Sequence, residues 1–239
     1  MVNLNYPLLE ITMRIFAISI CIQNFELLVL SRNKFDLRNQ SSILFTSVIL
    51  SILASIIAFI HPQLFLSLPI LICLFIQFVY FEGLYNGGST SMSHQVAIAL
   101  SVGSILQYFN QPITIVLYYI GVQAVLSYWV AGIVKLIEPG WRHGQTLAQI
   151  LLYSTYQIPP CIKKLANKKS FMLLASWMTI LIEVSFPVYL FNTKALVVVL
   201  FFMFVFHLTN AIIFGINRFI FAWLTTYPAI YFLALQLTK

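Results

Sequence analysis

A chain of 239 residues that is 61% hydrophobic and only 8% charged cannot cover a water-facing surface, because soluble domains carry roughly 25% charged residues. Its mean hydropathy is +0.94. The formal charge of +7 sits mainly in loops beside apolar segments, where lysines and arginines act as topology signals, so no nucleic-acid footprint is expected. The composition therefore predicts an all-α, polytopic transmembrane helical bundle, a single domain over residues 1–239, with the lipid bilayer as its main solvent.

A spanning helix needs about 20 mostly apolar residues, which leaves room for about eight spans joined by short connections. The first, Leu8–Leu30, carries Glu10, Arg14, Gln23 and Glu26. Glu10 and Arg14 stand at i,i+4 and are expected to pair along one helical face. Met1–Glu10 lacks a basic n-region, so this segment is expected to stay as a span rather than be cleaved as a signal. A polar loop, Ser31–Gln40, follows. The second span covers Ser42–Ile60, and His61-Pro62-Gln63 separates it from a third, Leu64–Gly83.

Tyr85–Ser91 then reads as a glycine turn rich in hydroxyls. The fourth segment, Gln95–Phe109, is short and moderately apolar; it either crosses tilted or re-enters. Asn110-Gln111-Pro112 opens a fifth span, Ile113–Leu136. In the long connection Ile137–Lys169, residues 144–156 are expected to form an interfacial helix that Pro159-Pro160 closes. Ser170–Asn192, Ala195–Ile216 and Phe219–Leu237 complete the set. With eight crossings, nine lysines and arginines, from Arg32 to Arg218, fall on one side, against Lys194 and Lys239 on the other. Positive-inside bias then places the long connection in the cytoplasm and both termini outside.

Ionisable groups at membrane depth are costly, and so become functional candidates. Lys135 closes the fifth span, on a face shared with Ala124, Tyr128 and Ala131; it either snorkels to the headgroups or serves a buried role. Glu183 shares a face with Ser176 and Thr179, and Pro187 cannot donate to its carbonyl. It either works in a hydrated site or is simply hydrogen-bonded between helices. His207, with Asn210 three residues on, suits proton transfer or an interhelical hydrogen bond. Trp129, Trp141, Trp177, Trp223 and Tyr227 could line a site, though most are expected as interfacial anchors. Cys21, Cys73 and Cys161 are scattered, and His94 and His143 lie outside the predicted spans, so no metal site is expected.

The run Tyr128-Trp129-Val130-Ala131-Gly132-Ile133-Val134-Lys135-Leu136, followed by Trp141 and Gly144, resembles a hallmark of the horizontally transferred transmembrane (HTTM) domain family. The best-known member of that family contains the membrane portion of vitamin K-dependent gamma-carboxylase. The gap between Leu136 and Trp141 is one residue longer here than in the carboxylase pattern. Phe206-His207 with Asn210, then Phe214, Phe219 and Thr226-Tyr227-Pro228, is similar to the family's histidine helix and its sequel. Glu183 falls where the family often has an acidic residue. Asn86-Gly87-Gly88 is similar to a turn in bacterial members of the sporulation-delaying-protein B type, with Ser89 where those often carry an aspartate.

The resemblance implies that Lys135, desolvated, acts as a base towards a quinone or another lipophilic molecule. His207 and Glu183 join it as expected catalytic residues, and Tyr128, Trp141 and Asn210 are the expected substrate-binding ones. The carboxylase has a large lumenal domain that these 239 residues do not contain, so glutamate carboxylation itself is not expected. Two readings stand: a small membrane enzyme, or a non-enzymatic factor that matures, exports or anchors a partner peptide or protein. A transporter is less favoured, since no internal repeat is visible. The bacterial relatives imply a seat in the inner membrane.

Overall fold

The computed structural model describes residues 5–33, 42–62, 67–80, 88–109, 112, 114–153, 158–215 and 217–239. Among these, all regular structure is helical. Six segments are both long and apolar enough to cross a bilayer: Tyr6–Val29, Ser42–Ile60, Thr114–Ile137, Lys169–Phe191, Thr193–Phe214 and Phe219–Leu237.

The second of these helices, Ser42–Ile60, is built inside out relative to a helix of a soluble protein. In Ser42–Ile60 the buried positions are Leu44, Ser47, Val48, Ser51, Ser55 and Ala58. They recur at intervals of three and four, the period of one helical face. That face is half serine, while Ile43, Leu50, Leu53, Ile57 and Ile60 point outward with exposures of 44–57%. Small and polar side chains meet neighbouring helices, and large apolar ones face the surroundings. Only a hydrocarbon medium favours that arrangement. The chain is a multi-pass integral membrane protein.

The chain divides into two compact units, Met1–Gly121 with Asn217–Phe232, and Val122–Ile216 with Leu233–Lys239. In the first, α1 (Asn5–Asn33) packs on α2 (Ser42–Ile60), α2 on α3 (Ser67–Tyr80), and α3 on α4 (Gly88–Tyr108). Three of them are tied by buried amides. Asn24 Nδ2 donates to Ile20 O at 2.8 Å and to Ser51 Oγ at 3.0 Å, while Gln77 Nε2 donates to Asn24 Oδ1 at 2.8 Å. Glu10 and Arg14 do not pair as their spacing suggested. Arg14 instead reaches across to α2, donating to Phe59 O at 2.6 Å with its guanidinium 5.6 Å from the Phe59 ring centroid.

The fourth predicted segment begins earlier than expected. It is one unbroken helix of 21 residues, Gly88–Tyr108, about 31 Å long and so as long as a hydrocarbon core is thick, though it is not among the six segments apolar enough to cross. It lacks the break that a re-entrant turn requires. His94 therefore lies on a helix, its Nε2 3.4 Å from Leu74 O. Residues 85–87 of the expected glycine turn and 34–40 of the first loop lie outside the described residues.

The last predicted span is two helices, α11 (Asn217–Leu224) and α12 (Tyr227–Leu237). Pro228 has no N–H for the Leu224 carbonyl, and its ring would strike it, so α11 stops there. Thr225 and Thr226, 1% and 0% exposed, occupy the break. Their hydroxyls donate back to Phe221 O at 2.8 Å and Trp223 O at 2.7 Å. Both carbonyls also accept backbone N–H groups, those of Thr225 and Thr226, so the bonds satisfy the buried hydroxyl protons where lipid could not. Trp223, expected at an interface, is instead enclosed, with 9% exposure.

The second unit holds most of α5 (Thr114–Ile137) and three short helices, α6 (Pro139–Arg142), α7 (Gln145–Tyr153) and α8 (Pro160–Ala166). It continues through α9 (Lys169–Ser185), a 3₁₀ turn (Phe186–Phe191) and α10 (Thr193–Phe214). Of the helix expected over 144–156, Gln145–Tyr153 is helical as α7, and residues 154–156 lie outside the described residues. Pro160 opens α8 at its first turn, where a missing N–H costs nothing.

Candidate functional site

The inward stripe of α5 carries Ala124, Tyr128 and Gly132, all buried, and then Lys135 near its end. Facing it, α9 buries Met172, Ser176, Ile180 and Glu183. A Cβ on Gly132 would lie 2.6 Å from Val184 N and 2.8 Å from the Glu183 carbonyl carbon. Only glycine lets the two backbones come this close.

That approach brings the ionisable groups together. Lys135 Nζ donates to Glu183 Oε2 at 2.5 Å, and lies 3.4 Å from Ala131 O one turn back. The amine thus turns inward rather than out to the headgroups. The lysine side chain is 17% exposed and the glutamate 6%. As a pair they carry no net charge wherever the proton resides, so they enter a low-dielectric interior at lower cost than either alone. The indole of Trp141 lies on another side of the amine, its ring centroid 5.4 Å from Nζ. A cation there gains about 0.5–2 kcal/mol from the ring face.

A second polar pair lies two turns back along α5. Tyr128 Oη and His207 Nε2 are 2.8 Å apart and buried; either can be the donor. The Tyr128 ring also stacks on Phe186, centroids 4.5 Å apart at 29°. His207 reaches this position because α10 buries Leu196, Val199, Leu200, Met203, His207 and Ala211 on a single face. Asn210 is half-buried one turn beyond. Among the described residues, no hydrogen bond joins it to the others.

The Glu183 carbonyl is not left free by Pro187. The chain tightens after Ser185 into the 3₁₀ turn, and Phe186 N donates to Glu183 O. This i→i+3 bond replaces the one that proline forbids, and it sets the Phe186 ring against Tyr128.

After α5 the chain folds back onto α9 at three points. Ser176 Oγ donates to Trp141 O at 2.5 Å, and Trp177 Nε1 to Arg142 O at 3.1 Å. Gly144 has φ +72°, and a Cβ on it would meet Leu173 N at 2.7 Å. Glycine is demanded there twice, by the backbone angle and by the contact. Trp141 is thus pinned through its backbone while its ring stays beside Lys135.

Of the six residues singled out in the sequence, Lys135, Glu183 and Trp141 form one cluster, and Tyr128 and His207 another. Glu183 and Phe186, three residues apart on the same chain segment, link the two levels. Phe186, and Trp177 as a backbone donor, were missed, because aromatic residues in apolar spans carry no distinguishing pattern. The arrangement suits proton transfer: a lysine next to a carboxylate, and an imidazole sharing a proton with a phenol. Among the described residues, no three histidine, cysteine, aspartate or glutamate side chains gather where a metal could bind.

A family model of the HTTM domain matches residues 90–234, a stretch that contains every side chain of both clusters. No curated protein and no solved structure matches the chain.

Proposed function

The chain belongs to the HTTM family, and from that premise we propose that it is a small membrane enzyme whose Lys135–Glu183 pair exchanges a proton with a lipophilic, quinone-like substrate. The observation that carries this reading is the 2.5 Å ion pair, partly buried between apolar helices and flanked by the Trp141 ring. With the proton of the pair on Glu183, the Lys135 amine is free to take the proton of an acidic substrate O–H. The ammonium that forms is stabilised by the Trp141 face and by the oxyanion left on the substrate, and the neutral Glu183 carboxyl stays within hydrogen-bond reach. Exclusion of water strengthens those interactions and protects reactive intermediates. Tyr128 and His207 provide a second proton-sharing pair, and Asn210 extends the polar face beyond them. In this reading the enzyme sits in a bacterial inner membrane.

The test is mass spectrometry of the organic extract from detergent-purified protein. Wild type is expected to retain an aromatic lipophile. Trp141→Ala should lower its occupancy, whereas Lys135→Met should still bind it but fail to turn it over. Purified protein that never retains a lipophile would remove the reading. A stoichiometric co-eluting protein, unaffected by Lys135→Met, would favour a role in handling a partner instead.

A further inference from the structure

Between α5, which ends at Ile137, and α9, which starts at Lys169, the described residues form helices of four, nine and seven residues. None is long enough to cross a bilayer. This connection therefore sits where two spans emerge, at headgroup height. It has its own apolar interior: Leu151, Ile158, Ala166 and Met172 are buried together, with Leu147 and Ile162 packed against them.

With the apolar side turned inward, the cations are left outside. Arg142, Lys164, Lys168 and Lys169 are exposed and Lys163 is half-buried. From residue 138 to 169 the sole acidic side chain is Glu138. Among the described residues, none of these five cations forms an ion pair with a carboxylate. In the same connection, Ile150 and Tyr153 are 38% and 81% exposed, as side chains dipping into an interface would be. The end of this surface that carries Arg142 is also tied to α9. Trp177 Nε1 donates to Arg142 O, and Gly144 abuts the α9 backbone.

We propose that this basic ledge binds the headgroups of anionic phospholipids in the leaflet it faces. Fixed cations at headgroup height, without internal counter-ions and next to exposed apolar side chains, match a ligand with a phosphate head and acyl tails. A free anion would use only half of that surface. The inference is independent of the proton-transfer reading of Lys135.

The experiment is a lipid titration of the delipidated, detergent-purified full chain, read by native mass spectrometry. Phosphatidylglycerol is expected to bind at least about tenfold more tightly than phosphatidylcholine. The combined Lys163→Gln, Lys164→Gln, Lys168→Gln and Lys169→Gln variant should bring the ratio towards unity, while Lys194→Gln should leave it unchanged. Raising salt on the wild-type protein should collapse the ratio as well, a readout that needs no variant to fold. Equal binding of the two lipids overturns the proposal. So does a preference that survives high salt, or one that survives in a quadruple variant with unchanged melting temperature. Displacement by inorganic phosphate at equal concentration would also overturn it, by assigning the ledge to a free anion.

Discussion

Removing either half of the Lys135–Glu183 pair should damage the protein, and removing both should largely restore it. Taking away one partner of a buried ion pair costs about 3–5 kcal/mol, because the other is left uncompensated. The two sides are unequal here. Lys135→Met strands Glu183, which is 6% exposed, and should cost about 4 kcal/mol. Glu183→Leu strands a lysine that is 17% exposed near a helix end; its flexible stem can carry the amine to the headgroups, so about 2–3 kcal/mol is expected. The double variant replaces the pair with apolar groups of similar size and should lie within about 1 kcal/mol of wild type. The assay is thermal unfolding in detergent followed by tryptophan fluorescence. For a chain of this length about 2–4 °C accompanies each kcal/mol, so Lys135→Met should melt roughly 8–16 °C early. If the two single losses simply add in the double variant, the pair contributes nothing as a pair, and the geometry of the site is wrong.

Three further outcomes follow from packing and hydrogen bonding. Gly132→Ala places a methyl against the backbone of Val184 and Glu183; it should cost about 1–3 kcal/mol and weaken the Lys135–Glu183 coupling when the cycle is repeated in its background. Tyr128→Phe keeps the stack on Phe186 but loses the hydroxyl at His207, so it should cost about 1 kcal/mol, against about 3–5 kcal/mol for Tyr128→Ala. Both are read as shifts in melting temperature. Asn24→Leu leaves Gln77 Nε2 and Ser51 Oγ without their bonds to Asn24 and should cost about 1–3 kcal/mol; adding Gln77→Leu should recover most of that loss.

The sequence revealed most about the architecture where a single physical rule dominates. Composition and span length suffice for the helical class, because hydrocarbon permits few alternatives. The inward stripe of Ala124, Tyr128 and Lys135 was legible for the same reason, since it follows the helix period. Breaks in helices were harder to read. Pro187 and Pro228 are both visible in the sequence, yet one produced a 3₁₀ turn and the other a full interruption at Thr225–Thr226. Which repair a chain adopts depends on the donors and acceptors that neighbouring residues supply, and local pattern does not encode that. The Glu10–Arg14 expectation failed similarly: spacing tells which groups can meet, but Phe59 O comes from another helix altogether.

The spacing of the α5 motif has a geometric cause that precedes any chemistry. Going up the chain, Tyr128 meets Phe186, Gly132 meets Val184 and Glu183, Lys135 meets Glu183, Trp141 meets Ser176, and Gly144 meets Leu173. Numbers rise on one side as they fall on the other, which is the register of two antiparallel segments in continuous contact. The two glycines mark where the backbones come closest, and the lysine follows the first of them by three residues, on the same face. A larger residue at Gly132 would push α9 away at the level of Glu183, separating a pair now 2.5 Å apart. Separation would leave the Glu183 carboxyl among apolar side chains without its partner, a state that lipid penalises, while the lysine stem reaches for the headgroups. Close packing is therefore a condition for having ionisable groups here at all, and whatever the Lys135 site does rests on the hydrogen atom that Gly132 carries in place of a side chain.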